Sequence, residues 1–384
     1  MYQINRFRIK GVRRLLDVDL EIRPFTTIIG VNGVGKTSLL DAFSLLFASA
    51  DGNLEKKLSA LGGIANILTR EKADALEFSV GIEIPNGAIL KYKLNVTSQG
   101  MGYSITNEEL FESRHQNQNP YILIETVGEG SVFYNPPNPP EQERVFLDKE
   151  ARIKSETALS QAPKTFIQTE KLRYILAKSI KYRTLDTGSK APVRLPQQMS
   201  PVNEPGQNGE DLIPYLYNLR ETSEAKFEAI TDTVKAAFPD FKEFGFPPVA
   251  SGMLTMTWKD KNFARPLYIN ELSDGTLRFL WLVSLLQSPT LPAITMIDEP
   301  DISLHPKQMR LLVDLMREAS SRTRLIIATH SDRFVSFLEP KELLVFDINE
   351  EGETSATHAD TLDLERWLDE YRLDELWSMG HLTA

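Results

Sequence analysis

Three glycines, a lysine and two hydroxyl residues occupy the nine positions from Gly30 to Ser38, directly after the apolar run FTTII. Glycine loses more backbone freedom on folding than any other residue, so a cluster is expected where the backbone adopts positive φ or approaches another group closely. The pattern SLLDAFSLLFA, with helical spacing, follows the cluster. These nine residues are therefore predicted to connect a strand to a helix.

Gly30, Gly35, Lys36 and Thr37 fit the spacing G-x-x-x-x-G-K-[ST]. In this pattern backbone N–H groups surround a phosphate, the lysine reaches the β- and γ-oxygens, and the hydroxyl binds Mg²⁺. The alternative is an ordinary glycine-rich turn with an unrelated lysine. The predicted nucleotide-binding residues are Asn32, Gly33, Val34, Gly35, Lys36, Thr37 and Ser38. We refer to residues 30–38 as the phosphate loop.

Two further apolar runs end in residues that suit phosphate chemistry. Asp298 and Glu299 follow AITMI, where Asp298 is predicted to bind Mg²⁺ together with Thr37, and Glu299 to polarise the attacking water. His330 follows RLIIAT and is predicted to contact the γ-phosphate or that water. Lys36, Glu299 and His330 are thus the predicted catalytic residues. The alternatives are a capped turn at the strand end and a structural histidine.

The segment NELSDGTLRF places Ser273 and Gly275 at the start of a predicted helix. A hydroxyl, a free N–H and the helix dipole there favour an anion. Both residues are predicted to bind nucleotide, although a simple helix cap would give the same pattern.

Composition limits the class of protein. The chain of 384 residues has no cysteine, which excludes disulfides and thiolate metal sites. The N-terminus lacks an apolar signal core, and no run approaches 18 apolar residues, so a cytoplasmic, soluble protein is predicted. The net charge of −10 argues against a surface that is basic throughout, but residues 164–194 hold eight cations and two acids. This stretch, Lys164 to Arg194, is a candidate for DNA contact, and a solvated face or a docking surface explains it equally well.

Periodicity divides the chain into three units. Residues 1–75 carry the phosphate loop, residues 76–248 a β meander and a helical insertion, and residues 249–384 a second nucleotide-binding lobe. The meander is expected over 76–105, a polar loop from HQNQNP to NPPNPPEQE, and helices over 155–181 and 209–237. The final unit alternates helix and strand, as in a doubly wound parallel sheet.

In this order, GVNGVGKTS, LSDGT, IDEP, SLHP and ATHS resemble the motifs of ABC-type ATPases, and among these the RecF/OLD-like ATPases related to SMC proteins. The resemblance implies an α/β fold of the ABC-type P-loop NTPase head, with a mixed sheet. It also implies a dimer that encloses two ATP molecules, in which Ser273 and Gly275 of one subunit contact the γ-phosphate held by the other. Asp301 falls at the family's subunit-contact loop.

The sequence departs from these relatives in several places. Asp274 stands where transporters usually have glycine and adds negative charge near a phosphate. The family's Mg²⁺-contacting glutamine is not placed: Gln168, Gln161 and a position near Asn66 remain candidates. Long coiled-coil arms and the TOPRIM nuclease domain of OLD proteins are not expected in this chain.

The resemblance implies an ATP-driven dimeric switch that senses DNA or a foreign protein. Such a switch would control a separately encoded nuclease or toxin in anti-phage defence. A RecF-like role in DNA repair is the alternative, and the ATPase of a membrane transporter is a third. ATP and Mg²⁺ are the expected cofactors.

Overall fold

The computed structural model describes residues 2–85, 87–100, 102–113, 120–127, 131–135, 145–147, 150, 152–363 and 371–382. The strands are β1 (Gln3–Val12), β2 (Leu15–Glu21), β3 (Phe25–Ile29), β4 (Ala75–Glu83), β5 (Ile89–Gln99), β6 (Gly102–Ser113), β7 (Tyr121–Val127), β8 (Ser131–Tyr134), β9 (Val145–Leu147), β10 (Ile180–Tyr182), β11 (Gln197–Gln198), β12 (Phe241–Gly245), β13 (Pro248–Val249), β14 (Met253–Leu254), β15 (Thr257–Asp260), β16 (Leu267–Tyr268), β17 (Ile294–Asp298), β18 (Arg324–Ala328), β19 (Leu343–Ile348) and β20 (Thr354–His358).

The α-helices are α1 (Lys36–Ala50), α2 (Leu54–Ala60), α3 (Ile64–Ile67), α4 (Ala158–Gln161), α5 (Ile167–Lys178), α6 (Leu212–Thr222), α7 (Glu224–Ala237), α8 (Asp274–Leu286), α9 (Pro306–Ala319), α10 (Asp332–Val335) and α11 (Leu373–Ser378). Short 3-10 helices cover Pro192–Arg194, Ala250–Gly252, Ile269–Glu271, Pro340–Glu342 and Ala359–Thr361. None of the helices in the described part of the chain combines the length and the apolar character needed to cross a bilayer.

An eight-stranded antiparallel sheet has the order β2-β1-β4-β5-β6-β7-β8-β9. Its strands alternate buried and solvent-facing side chains, as period-two patterns require, so the predicted meander is confirmed. The predicted polar loop is wrong in its middle, where β7 and β8 extend the sheet. Their segments YILIETV and SVFY are rich in the β-branched and aromatic residues that favour strands. The polar runs 114–119 and 136–144 lie outside the described residues.

A six-stranded sheet has the order β10-β17-β18-β3-β19-β20, and all its pairs are parallel except β19 with β20. The predicted strands β17, β18 and β19 and the helices α8 and α9 are confirmed, as is the doubly wound arrangement. Two apolar cores lie on opposite faces of this sheet. Ile28 and Ile326 belong to the core with α1, whereas Ile29 and Ile327 belong to the core with α8 and α9.

Helix α1 packs between the two large sheets. Its residues are buried almost all round, which explains why the sequence after the phosphate loop has no continuous polar face. Phe43 of α1 contacts Phe7 of β1, with ring centroids 4.1 Å apart. On the other side, Leu39 and Leu40 share a core with Ile28 of β3. The helix that begins at the phosphate loop is thus fixed by both sheets.

The helical predictions need two corrections. Residues 155–181 contain two helices, α4 and α5, separated by a segment that includes Pro163. Residues 180–182 form the strand β10, so the second predicted helix ends earlier than expected. Residues 209–237 contain α6 and α7, as expected.

The predicted division at 75/76 separates strands of one sheet, because β1 pairs directly with β4. Likewise β10, from the predicted insertion, pairs with β17 of the predicted second lobe.

Glu108 is a fully buried carboxylate that connects the antiparallel sheet to α4. It accepts hydrogen bonds from the backbone N–H groups of Ala158 (2.5 Å) and Leu159 (2.7 Å) and from the hydroxyl of Tyr92 (2.9 Å). The guanidinium of Arg152, itself 4% exposed, lies 3.7 Å away. Burial raises the pKa of Glu108, and Arg152 and the backbone donors oppose that rise. This carboxylate is therefore satisfied only by the native arrangement.

We expect Glu108→Ala to destabilise the fold by about 3–5 kcal/mol, because it breaks the buried ion pair with Arg152 and removes the acceptor of three buried hydrogen bonds. The matched control is Glu109→Ala, which removes the neighbouring carboxylate that faces Lys93 at 3.2 Å near the surface and should cost about 1 kcal/mol or less. Urea denaturation of the two variants measures the difference. Equal losses of stability would contradict the role assigned to Glu108.

Candidate functional site

The carboxyl ends of three neighbouring parallel strands bring the predicted site residues to one edge of the six-stranded sheet. Asp298, the last residue of β17, aligns with Ala328 of β18, which in turn aligns with Ile28 of β3. The phosphate loop follows β3, and His330 follows β18 by two residues. In open α/β sheets this edge is where ligands bind.

All three glycines of the phosphate loop, among them Gly33 with φ +82°, adopt positive φ. Gly30 has φ +147° and Gly35 has φ +119°, backbone conformations that other residues adopt only with strain. A Cβ on Gly30 would lie 2.4 Å from the carbonyl oxygen of Phe346. Thr354 of β20 donates a hydrogen bond from its hydroxyl to the carbonyl of Val34 at 2.6 Å. The loop is therefore held from outside by β19 and β20.

The first turn of α1 is open to an anion. Gly35 caps the helix without a side-chain hydrogen bond, and the first turn contains no acidic residue. Asn32, Gly33 and Thr37 are exposed at this end of the helix. An uncapped helix N-terminus beside a glycine-rich loop provides backbone N–H donors and a favourable dipole for phosphate. The residues present therefore fit a bound nucleotide.

Two of the predicted phosphate-loop residues turn inward. The Val34 side chain is fully buried, so only its backbone can face a ligand, and Ser38 is also buried. Lys36 donates hydrogen bonds from its ammonium to the carbonyls of Gly30 (2.6 Å) and Val31 (3.2 Å). Burial lowers the pKa of Lys36, and the nearby carboxylates of Glu299 and Asp298 partly restore it. The charged end of Lys36 thus lies over the loop and close to both predicted acids.

Glu299 and His330 are in direct contact. Nδ1 of His330 lies 2.9 Å from Oε1 of Glu299, and both side chains are accessible to solvent. Glu299 adopts φ +52°, and its N–H donates to the carbonyl of Ala328 at 2.8 Å. A glutamate in this conformation is strained by about 1–3 kcal/mol, which is typical of functional positions. The strain directs the Glu299 side chain toward the end of β18, where His330 lies.

Asp298 is partly buried. Burial raises the pKa of Asp298, and the ammonium of Lys181 at 3.7 Å opposes that rise. The hydroxyl of Thr184 donates to the Asp298 carbonyl at 3.3 Å. With the exposed Thr37 on α1, Asp298 offers the oxygen ligands that Mg²⁺ prefers.

Residues 272–276, which include the N-cap and the first residues of α8, are held by the Ser273 cap and by Arg194. Ser273 accepts a hydrogen bond from the N–H of Thr276 at 3.2 Å and is exposed, so it does cap the helix within its own chain. The negative charge expected at Asp274 is paired with Arg194 at 2.6 Å. A Cβ on Gly275 would lie 2.3 Å from the carbonyl oxygen of Ser303. This turn therefore abuts the segment that follows Glu299.

Asp301 is buried, although the resemblance implies a subunit-contact loop at this position. Its Oδ1 accepts a hydrogen bond from the hydroxyl of Thr329 at 2.6 Å. Thr329 in turn accepts from the N–H of Ser331 at 3.1 Å. The carboxylate of Asp301 thus connects the segments after β17 and β18 within one chain.

The basic stretch from Lys164 to Arg194 is only partly a surface. Lys181 and Arg194 have side chains that are 8% and 11% exposed and pair with acids. Arg173 pairs with Glu170 at 2.6 Å. The exposed cations of the stretch are Lys164, Lys171, Lys178, Arg183 and Lys190.

The candidates for the Mg²⁺-contacting glutamine have other contacts. The Gln161 amide donates to the carbonyls of Ile153, Glu156 and Thr157. The Asn66 amide donates to the carbonyl of Gly62 at 2.7 Å. Neither contact involves the sheet edge, and Gln168 lies on α5, so the position stays open.

A chain of charged residues that we did not predict reaches Asp298. Arg13 lies 2.8 Å from Asp41 of α1, Asp41 lies 3.0 Å from Lys181, and Lys181 contacts Asp298. One signal for it was present in the sequence, since Asp41 is the only acid in the apolar helix KTSLLDAFSLLFASA. A lone acid inside a buried helix requires a partner.

Comparison with known proteins gives a family match and a likeness in fold. The sequence profile of a family described as "AAA domain, putative AbiEii toxin, Type IV TA system" matches residues 25–336. In fold, the chain is similar to an SmcHead bound to the C-winged helix domain of ScpA, with a TM-score of 0.59 and 14% identity over 94% of this chain and 99% of that one. It is also similar to an Smc head domain with an extended coiled coil, bound to the C-terminal domain of ScpA and derived from Pyrococcus furiosus, with a TM-score of 0.53 and 12% identity over 96% and 99%. The fold is that of an Smc head domain.

The packing around the phosphate loop predicts unequal effects of alanine at its glycines. Gly33→Ala should cost about 1–2 kcal/mol of folding free energy, because φ is +82° but a Cβ would meet nothing within 4 Å. Gly30→Ala should cost about 1–3 kcal/mol more, since Phe346 must also move. Chemical denaturation of both variants tests this order. A Gly33 variant as unstable as the Gly30 variant would contradict the close packing described here.

Proposed function

This chain belongs to the family described as AAA domain, putative AbiEii toxin, Type IV TA system, and from that premise we propose that it binds ATP with Mg²⁺ and hydrolyses it. The observation that carries the proposal is the contact between Glu299 and His330, 2.9 Å long, beside Asp298 and the phosphate loop. An acid with an orienting partner next to a phosphate site suits activation of water.

Lys36 and the N–H groups of the phosphate loop bind the β- and γ-phosphates. The Lys36 ammonium, which donates to the Gly30 and Val31 carbonyls, exchanges these for phosphate oxygens. Thr37 and Asp298 would hold Mg²⁺, and the bound ion would supply positive charge beside the phosphates during transfer. Asn32, Gly33 and Gly35 provide the backbone that approaches the ligand, and Ser38 and Val34 contribute backbone N–H groups only.

Glu299 accepts the proton of the attacking water. His330 orients the Glu299 carboxylate through its Nδ1 and directs its second ring nitrogen toward the γ-phosphate. Because Nδ1 must carry a proton to donate to Glu299, and a phosphate oxygen only accepts hydrogen bonds, Nε2 contacts the γ-phosphate as a donor in the protonated form of His330. The pair therefore links the water and the phosphate.

Two copies of the chain form the complete site. Ser273 and Gly275 of one copy face the γ-phosphate held by the other, and the exposure of Ser273 supports this arrangement. ATP then binds the closed dimer more tightly than the open form, and hydrolysis removes that difference. The output of the chemistry is a conformational state.

A separately encoded effector, a nuclease or toxin, responds to this state, and the biological role is anti-phage defence. The related SMC heads support a docked protein partner, because both were solved with a domain of ScpA. DNA is proposed to contact the exposed lysines Lys164, Lys171 and Lys178 at α5. Two assays test whether the effector is a separate protein. The purified chain alone should not cut plasmid DNA, and the expressed chain alone should not arrest growth.

Glu299→Gln should slow ATP hydrolysis by about 10²–10⁴-fold while ATP stays bound, because the general base is lost and the Asp298 ligand remains. Lys36→Ala is the contrasting variant and should lose ATP binding. Phosphate release and equilibrium binding of a fluorescent ATP analogue separate the two effects. Normal hydrolysis by the Glu299 variant would assign the base to another residue, with His330 examined next.

Mixing two inactive variants tests the shared site. Ser273→Arg and Lys36→Ala subunits should recover part of the ATPase activity when combined, because a mixed dimer keeps one intact site. Activity is measured across mixing ratios, with each variant alone as the control. Absence of recovery at every ratio would limit Ser273 to capping α8 in its own chain.

A further inference from the structure

Lys181 is a buried lysine shared by two carboxylates. It lies on β10, the strand that pairs with β17, and its side chain is 8% exposed. Its ammonium is 3.0 Å from Oδ1 of Asp41 and 3.7 Å from Oδ2 of Asp298. The phosphate-loop helix and the predicted metal ligand therefore meet at a single cation.

Asp41 is the firmer of the two partners. Its side chain is 8% exposed, against 23% for Asp298, and it is also bound by Arg13 at 2.8 Å. Ion pairs strengthen as water is excluded, so the shorter and drier contact to Asp41 holds Lys181 in place. The contact between Lys181 and Asp298 is longer and more exposed to solvent, so this is the ion pair that can break.

We propose that Lys181 is a positioning residue that competes with the divalent cation for the Asp298 carboxylate and so sets the concentration of Mg²⁺ that the site requires. This inference rests on the proposed nucleotide site. Mg²⁺ takes carboxylate oxygens at about 2.0–2.1 Å, and an ammonium beside the same oxygen both repels the ion and holds its ligand. When the metal binds, Asp298 turns to it and Lys181 keeps Asp41.

Other cations lie around Lys181 and Asp41. Lys57 of α2 is half-buried close to Asp41, Lys181 and Arg183, whose charges all act on it. Arg13 occupies the other oxygen of Asp41. Among these residues, Asp41 and Asp298 are the carboxylates available to Lys181, and Arg13 already occupies one oxygen of Asp41. Lys181 therefore stays between Asp41 and Asp298. It therefore acts on every metal-binding event.

Direct metal binding tests this role. Mn²⁺ replaces Mg²⁺ in a titration with ADP, followed by electron paramagnetic resonance, and binding of a fluorescent ATP analogue is measured in EDTA and at increasing Mg²⁺. Lys181→Met should lower the half-saturating metal concentration by about tenfold, the effect of removing a like charge 4–6 Å away. Its affinity for the analogue in EDTA should not change. Lys226→Met, which changes an exposed lysine on α7, is the control and should match the wild type.

Asp41→Asn should change the half-saturating metal concentration in the opposite direction. With its firmer partner weakened, Lys181 shifts toward Asp298, so the half-saturating metal concentration should rise. Circular dichroism confirms folding of each variant, and if Lys181→Met does not fold, Asp41→Asn alone decides. Wild-type protein that fails to bind Mn²⁺ with nucleotide overturns the proposed function. Wild-type protein that binds, with metal affinity unchanged in a folded Lys181 or Asp41 variant, overturns only the role of Lys181. Lost analogue binding in EDTA also overturns it, because Lys181 would then be a phosphate ligand.

Discussion

The position of α1 between two sheets is the constraint on which the site depends. Phe43 packs on the antiparallel sheet and Leu39 and Leu40 pack toward the parallel one, so the helix has no freedom to rotate or slide. Its N-terminus therefore presents the phosphate loop at a fixed height above the sheet edge. The same burial encloses Asp41, and a carboxylate so placed must bring cations with it. Arg13 and Lys181 are consequences of that one acid.

Charge pairing repeats around the site at different depths. Asp41 is held by Arg13 and Lys181, Asp274 is held by Arg194, and Glu108 farther away is held by Arg152. Each of these three carboxylates therefore has a cationic partner before any ligand arrives. Glu299 differs from these acids, since its neighbour is the accessible His330. The pair that we propose for catalysis is thus the one that water can reach.

The sequence was sufficient for those features that depend on local chemistry. The strands that end at Asp298 and His330 are continuous apolar runs, because both faces of a parallel sheet are covered. The glycines of the phosphate loop likewise follow from local backbone geometry. By contrast, β10 has three residues and exists only because β17 lies beside it, so nothing local indicates that Lys181 points inward. From the sequence, Arg194 also resembles a surface cation. In the structure its guanidinium pairs with Asp274, eighty residues later in the chain. The roles of Ser273, Glu299 and His330 stay predictions, since contact geometry alone does not measure them.

The pairing of β3 has a consequence for the order of events during synthesis. This strand, at residues 25–29, lies between β18 and β19, whose residues are made some three hundred positions later. The Val34 carbonyl likewise accepts a hydrogen bond from the hydroxyl of Thr354, which is synthesised 320 residues later. Contacts so distant along the chain close late and slowly. A truncated product that lacks residues 324–358 therefore cannot pair β3 with β18 and β19 or supply the hydroxyl of Thr354, so its phosphate loop cannot take the shape described here.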